Sequence, residues 1–203
     1  MSFYGKYVVP RMIDLCMRNQ DTMRVRAELI PRARGVVLEV GVGSGLNLPF
    51  YSADASRVYG VDPSLEGLKI ARKRVEASPV PVELVPQSAE EPLPLADQSV
   101  DTAVITWSLC SIPDPFGALR QVRRVLKPSG QLLFVEHGLA PDDGVSTWQD
   151  RINPIWRRIA GGCNVNRPID ELIRSAGFEI TDLKTAYLPG PRLLTYTYQG
   201  SAR

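Results

Sequence analysis

The chain has 203 residues, 44% apolar and 23% charged, with a net charge of +2. That balance suits one globular domain able to bury its own core, and it is too weakly basic to argue for nucleic acid as a partner. Cys16, Cys110 and Cys163 lie far apart without a CxxC pair, and there is one histidine. Neither a disulfide framework nor a metal site is therefore expected, and a reducing, cytoplasmic compartment is.

Residues 1–34 read as a helical cap. Val9, Met12, Ile13, Cys16 and Met17 fit one helical face, and Asp21 is placed to cap a second helix. The start lacks a signal-peptide core, and no apolar run approaches the ~20 residues of a transmembrane helix. VVLEV (36–40) is a short strand running into Gly41, Gly43 and Gly45, and RVYGVD (57–62) is the second strand. SLEGLKIARKRVEAS is helical, with Leu65, Leu68, Ala71 and Val75 on one face and its basic run solvated. VPVELV (80–85) and DTAVITW (101–107) are strands three and four.

In DPFGALRQVRRVLKPSG, Asp114 caps a helix, Pro115 opens it, and Phe116, Leu119, Val122 and Leu126 share a face until Pro128 and Gly130 stop it. QLLFVEHG is the fifth strand. Residues 139–167 form a long connection with Trp148 and Trp156, the kind that becomes a lid or a substrate surface. PIDELIRSAG is a helix closed by Gly177, and FEITDLKTAY and LLTYTYQ are two β-rich runs with no helix between them. Strands alternating with helices predict an α/β, Rossmann-like sheet of seven mostly parallel strands, with helices on both faces and an antiparallel edge strand from the last hairpin. The chain divides into the cap (1–34), a core (35–138), the insertion (139–167) and a closing helix and hairpin (168–203).

In open parallel sheets ligands bind beyond the carboxyl ends of the strands, so the glycine loop is the natural site. No GK[ST] follows, which excludes a P-loop. The spacing is G-x-G-x-G preceded by Glu39, and the sixth position from Gly41 is Leu46, which departs from the dinucleotide fingerprint. Glu39-Val-Gly41-Val-Gly43-Ser-Gly45 resembles the first motif of the class I S-adenosylmethionine methyltransferases. VDPS around Asp62, QSAEEPLPLADQSVD and LKPSG match later motifs in order. The resemblance implies that the loop cradles the methionine part of S-adenosylmethionine, with S-adenosylhomocysteine as product. Asp62 would bind the ribose hydroxyls, or else serve the next helix as a cap, a task open to Ser64. Ser88 and Ala89 would lie beside the adenine. The expected cofactor-binding set is Glu39, Gly41, Gly43, Gly45, Asn47, Asp62, Pro63, Ser88, Ala89, Glu90 and Thr106.

LCSIPDP, VEHG, Trp148-Gln149, Pro154-Ile-Trp156 and Gly162-Cys163-Asn164 resemble more narrowly the small methyltransferase-like thiol S-methyltransferases and their bacterial relatives. This implies in-line methylation of sulfide, methanethiol or alkyl thiols. Relatives methylating phosphatidylethanolamine or quinone precursors give the alternative acceptors, and a binding subunit without catalysis is the non-enzymatic alternative. Animal members begin with a membrane anchor, and none is expected here. A thiol of pKa ~8.5 is about 3% ionised at pH 7, a deficit of about 2 kcal/mol, against about 4.6 kcal/mol for an ammonium of pKa ~10.4. A site poor in bases therefore suits a thiol.

His137, just past the fifth strand, is the candidate catalytic residue, steering or receiving the acceptor proton; the alternative is a histidine that orients the loop. Tyr7, Trp107, Cys110, Trp148, Trp156 and Cys163 are the candidate substrate residues. For Cys110 the alternative is a small core side chain, and for the two tryptophans it is anchoring of the insertion. The N-terminal segment would close over the cofactor, pack as an amphipathic helix, or touch a membrane surface.

Overall fold

A computed structural model of the chain describes residues 3–203. A π-helical turn, Tyr4–Val8, runs into α1 (Val9–Cys16), followed by α2 (Gln20–Leu29), β1 (Gly35–Val40), β2 (Ala55–Val61), α3 (Leu65–Glu76), β3 (Val82–Val85) and β4 (Val100–Thr106). Next come α4 (Pro115–Val125), β5 (Leu126–His137), α5 (Asp143–Ile159), α6 (Ile169–Ser175), β6 (Ile180–Tyr187), the short α7 (Arg192–Thr195) and β7 (Tyr196–Ala202). The sheet has seven strands in the order β3-β2-β1-β4-β5-β7-β6. β1 to β5 are parallel, and β7 runs antiparallel to both β5 and β6. The expected antiparallel element is this edge pair, with β7 inserted inside β6. Strand order reverses between β1 and β4, which opens a crevice beyond their carboxyl ends.

Alternating residues of each strand feed two cores, as a period of two requires. Leu38, Ile105 and Phe134 pack with Leu119 and Val122 of α4 and with Ile169 and Ile173 at α6. Val37, Val104, Leu133 and Val135 pack on the other face with Leu29 of α2 and Leu68 of α3. Asp114 caps α4 by accepting from Gly117 N–H at 2.9 Å, and Gly177 closes α6 at φ +87°, both as the sequence predicts.

Several local expectations are corrected. α2 is capped by Asn19, whose Oδ1 accepts from the N–H groups of Asp21 and Thr22, so Asp21 is first-turn rather than cap. β5 starts at Leu126 because Leu126 pairs with Val100 and Gln131 with Thr102, leaving KPSG as a bulge inside the strand. Leu65 and Phe116 lie exposed at the first turns of their helices. The apolar stripe of α1 also faces water at Met12 and Ile13, while Asp14 turns inward, only 7% exposed. The reason is charge: Asp14 pairs with Arg18 and, at 2.9 Å, with Arg74 of α3. Arg74 thus leaves the solvated basic face and also donates to the Ser44 carbonyl in the glycine loop. The insertion forms α5, whose single buried residue is Gln149; its amide bonds the backbone at Gly138, Ala140 and Leu193. Among the described residues no helix is long and apolar enough to cross a membrane.

Candidate active site

The glycine loop takes its shape from left-handed backbone at Gly41, Gly43 and Gly45, with φ of +73°, +52° and +80°. The glycines do different work. A Cβ on Gly41 would lie 2.3 Å from Ser108 Cβ, so this position lets the loops after β1 and β4 touch. Around a Cβ on Gly43 nothing lies nearer than 3.9 Å, so that position faces open space. Gly43 N–H donates to Asp62 Oδ2 at 2.9 Å, and Ser64 N–H donates to Asp62 Oδ1 at 2.8 Å. Ser64 itself caps α3, accepting from Gly67 N–H at 3.1 Å. Asp62 therefore ties the glycine loop to the start of α3, and burial raises its pKa.

Behind the loop lies a buried polar network. Glu39 Oε1 accepts from the Asn47 amide at 2.9 Å, and Glu39 Oε2 accepts from the Tyr51 hydroxyl at 2.7 Å. The Asn47 amide also donates to Thr106 Oγ1, and Asn47 Oδ1 accepts from Arg26 at 2.6 Å. Burial pushes the Glu39 carboxyl up to about 7, against the pull of Tyr51, Arg26 and Asn47, and lowers Arg26 to about 10. Arg26 is 4% exposed and its Nε has no hydrogen-bond partner. Trp107, at φ +47°, lays its ring 4.7 Å from that guanidinium. Arg26, Glu39, Gly41, Gly43, Asn47 and Thr106 line a cavity of about 70 Å³, which Ile13 and Met17 border from the α1 side.

The residues fit S-adenosylmethionine. An orphaned guanidinium N–H suits a carboxylate, a buried carboxyl suits an ammonium, and Gly43 leaves room for close approach. The sequence reading missed Arg26, which sits on a helix in the cap. The adenine-side candidates form a separate group after β3: Ser88 Oγ donates to Glu90 Oε2 at 2.8 Å, and Glu90 Oε1 accepts from Asp114 N–H at 2.6 Å. Ala89 is buried in the core, whereas Pro63 is exposed. A larger groove of about 620 Å³, lined by residues such as Arg124 and Gly130, lies away from these loops, by the start of β5.

At the ends of β4 and β5 a second constellation forms. The fully buried Glu136 carboxylate accepts from the N–H groups of Ser108, Leu109 and Cys110, which fixes the turn after β4. The Cys110 carbonyl accepts from both the backbone and the side-chain N–H of Asn164 at 2.9 Å. Arg167 donates to the carbonyls of Leu109 and Ile112. Gly161 and Gly162, at φ +64° and +93°, carry the chain into Cys163. Cys163 Sγ lies 3.0 Å from His137 Nε2 and accepts from Trp156 Nε1–H at 3.3 Å.

The ligand atoms of Cys110, His137 and Cys163 all fall within 4.8 Å of one another, which overturns the expectation of scattered cysteines and histidine. Burial opposes protonation of His137, but the contact with Cys163 and the charge of Glu136 outweigh it and raise its pKa. The Cys163 thiol is pushed up by its hydrogen bond with Cys110 and by burial. Cys110 is 2% exposed, while His137, Cys163 and Trp156 keep partial exposure.

Three substrate candidates are not brought to this group, and Trp107 is one of them, set against Arg26 at the glycine-loop cavity. Trp148 is 54% exposed, with Arg151 5.2 Å from its ring, because eight residues of helix turn it about 80° from Trp156. Tyr7 packs its ring 5.0 Å from Phe3.

Residues 38–134 match the family described as methyltransferase domain. Thiol S-methyltransferase TMT1B of Rattus norvegicus is 35% identical over 151 residues, covering 73% of this chain and 62% of that protein. Phosphatidylethanolamine N-methyltransferase of Cereibacter sphaeroides is 38% identical over 111 residues, 54% of each chain. A solved S-adenosylmethionine-dependent methyltransferase from Thermotoga maritima aligns with a TM-score of 0.66 at 22% identity, covering 98% of both chains, a likeness of fold. The chain spans about three fifths of the length of the thiol methyltransferase it matches.

Proposed function

The chain belongs to the class I S-adenosylmethionine-dependent methyltransferases, and from that premise we propose that it methylates the sulfur of a small thiol or of sulfide. S-adenosylmethionine, when bound, supplies an activated methyl group on a sulfonium. The chain's own residues bind and orient. Arg26 offers its free Nε–H to the methionine carboxylate, and Glu39 takes the ammonium. Asp62 keeps a second lone pair on each oxygen for the ribose hydroxyls, and the loop at Ser88 and Ala89 flanks the adenine. Transfer is then mainly a matter of alignment.

On the acceptor side, His137 is the group placed to receive or steer the thiol proton, with Cys110, Cys163 and Trp156 around it. The observation that carries the thiol assignment is the 35% identity to a thiol S-methyltransferase over 73% of the chain. Three free cysteines suit a reducing, cytoplasmic setting.

The test is S-adenosylhomocysteine formation with sulfide, methanethiol, longer alkyl thiols, phosphatidylethanolamine vesicles and a demethylated quinone. Turnover on the thiols is expected. Turnover confined to the phospholipid or quinone overturns the acceptor assignment, and cofactor binding without turnover on any acceptor favours a non-catalytic binding subunit.

A further inference from the structure

We propose that Cys110, His137 and Cys163 bind one zinc ion and leave its fourth position to the acceptor thiol. The metal site stands on geometry, and its use for the acceptor rests on the thiol reading above. Three ligand atoms from three elements converge within 4.8 Å: Cys110 from the turn after β4, His137 from the end of β5 and Cys163 from the loop after α5. Around tetrahedral zinc, with Zn–S of about 2.3 Å and Zn–N of about 2.0 Å, ligand atoms sit about 3.5–3.8 Å apart. The present 3.0 Å between His137 Nε2 and Cys163 Sγ needs to open by roughly half an ångström to meet that spacing.

The supporting shell is already built. Asn164 holds the Cys110 carbonyl through two hydrogen bonds, and Trp156 Nε1–H donates to Cys163 Sγ, the kind of N–H contact that orients a thiolate ligand and moderates its charge. Charge also balances. Zinc with two cysteinates is neutral, and the Glu136 carboxylate and Arg167 guanidinium that brace the same turn offset one another.

Two cysteines and one histidine form a borderline-soft ligand set suited to zinc. Among the described residues no fourth histidine, cysteine or carboxylate joins the cluster, so the ion would keep an open position, as catalytic zinc sites do. His137 and Cys163 keep partial exposure, the side from which an acceptor would enter. A thiol entering that position forms a Zn–S bond and loses its S–H proton to solvent, with no change in oxidation state. The zinc-bound thiolate then needs no separate base, and His137 acts as ligand instead of receiving the thiol proton.

The test uses the whole chain, purified reduced and metal-free, then titrated with Zn²⁺ or Co²⁺ against a competing chelator. One ion per chain is expected, with thiolate-to-cobalt charge-transfer absorption and tetrahedral d–d bands. C163S and H137Q should each weaken binding at least about 10–100-fold. Adding ethanethiol to the cobalt form should shift the d–d bands. Retained S-adenosylhomocysteine binding shows that the variants fold.

No stoichiometric uptake by the wild type, unchanged uptake by C110A/C163A, or a Cys110–Cys163 disulfide forming in place of metal binding overturns the site. Thiol methylation by metal-free protein at full rate refutes the zinc role and leaves the thiol assignment standing. Metal uptake and a thiol-shifted spectrum without thiol methylation upholds the metal site and refutes the acceptor assignment.

Discussion

The Arg26 guanidinium lies 4.7 Å from the Trp107 ring and is shut away from water, with its Nε unpaired. A buried guanidinium held by an aromatic face and by Asn47 still has a free donor to offer an anion. R26K should raise the Kd for S-adenosylmethionine at least about tenfold, because lysine cannot keep the fork geometry. The KM for the acceptor should stay the same. Calorimetric titration with S-adenosylhomocysteine checks this, and unchanged affinity would show that the guanidinium only braces Asn47.

Glu39 predicts a pH dependence in the ligand-free protein. Its folded pKa is raised by burial from 4.5 to about 7, so the folded state binds the proton more tightly than the unfolded chain. That contribution is fully present below pH 4.5 and is lost as pH rises through 7. It amounts to about 3 kcal/mol. Asp62 and Glu136 are also raised and act in the same direction. Denaturant unfolding between pH 5 and 8 should therefore show stability falling, and E39Q should flatten part of the slope. A slope unaltered by E39Q would mean that Glu39 is ionised throughout this range.

Gly41 and Gly43 should respond differently to alanine. G41A places a methyl 2.3 Å from Ser108 Cβ at φ +73°, so both stability and cofactor affinity should drop. G43A meets nothing nearer than 3.9 Å within the protein, so its folding cost should be the left-handed backbone alone, about 1–2 kcal/mol. Its methyl faces the crevice, and cofactor affinity should fall disproportionately. Paired measurements of Tm and Kd separate the two effects.

The α1 segment should act on the cofactor through the cavity border. Ile13 and Met17 line the cavity beside Arg26, and Asp14 holds Arg74, which in turn reaches the glycine loop. Deleting residues 1–17 should weaken S-adenosylmethionine binding while the sheet, built from residues 35–202, still folds. Equal affinity in the truncated protein would remove α1 from the site.

The chain order of the strands, the positive-φ glycine loop, the Asp114 cap of α4 and the Gly177 end of α6 were legible in the residues themselves. Each depends on short-range physics: a two-residue period, a backbone forced to positive φ, a carboxylate three residues ahead of an N–H, or a glycine ending a helix. Other features had no local signal. Asn19 outcompeted Asp21 as a cap, and Asp14 turned inward because Arg74 is on the facing helix. Arg26 met Asn47 and Trp107 only because α2 packs beside the ends of β1 and β4. Cys110 and His137 are 27 positions apart and His137 and Cys163 are 26 apart, and no spacing rule links them. Pairing of β4 with β5 brought the first two together, and the Asn164 hydrogen bonds to Cys110 seated the third. Sequence alone determined the strands and the shape of the glycine loop, because those rest on neighbours along the chain. The buried Arg26 and the cysteine–histidine cluster were decided by tertiary packing, because burial and charge pairing join residues that are distant in the chain.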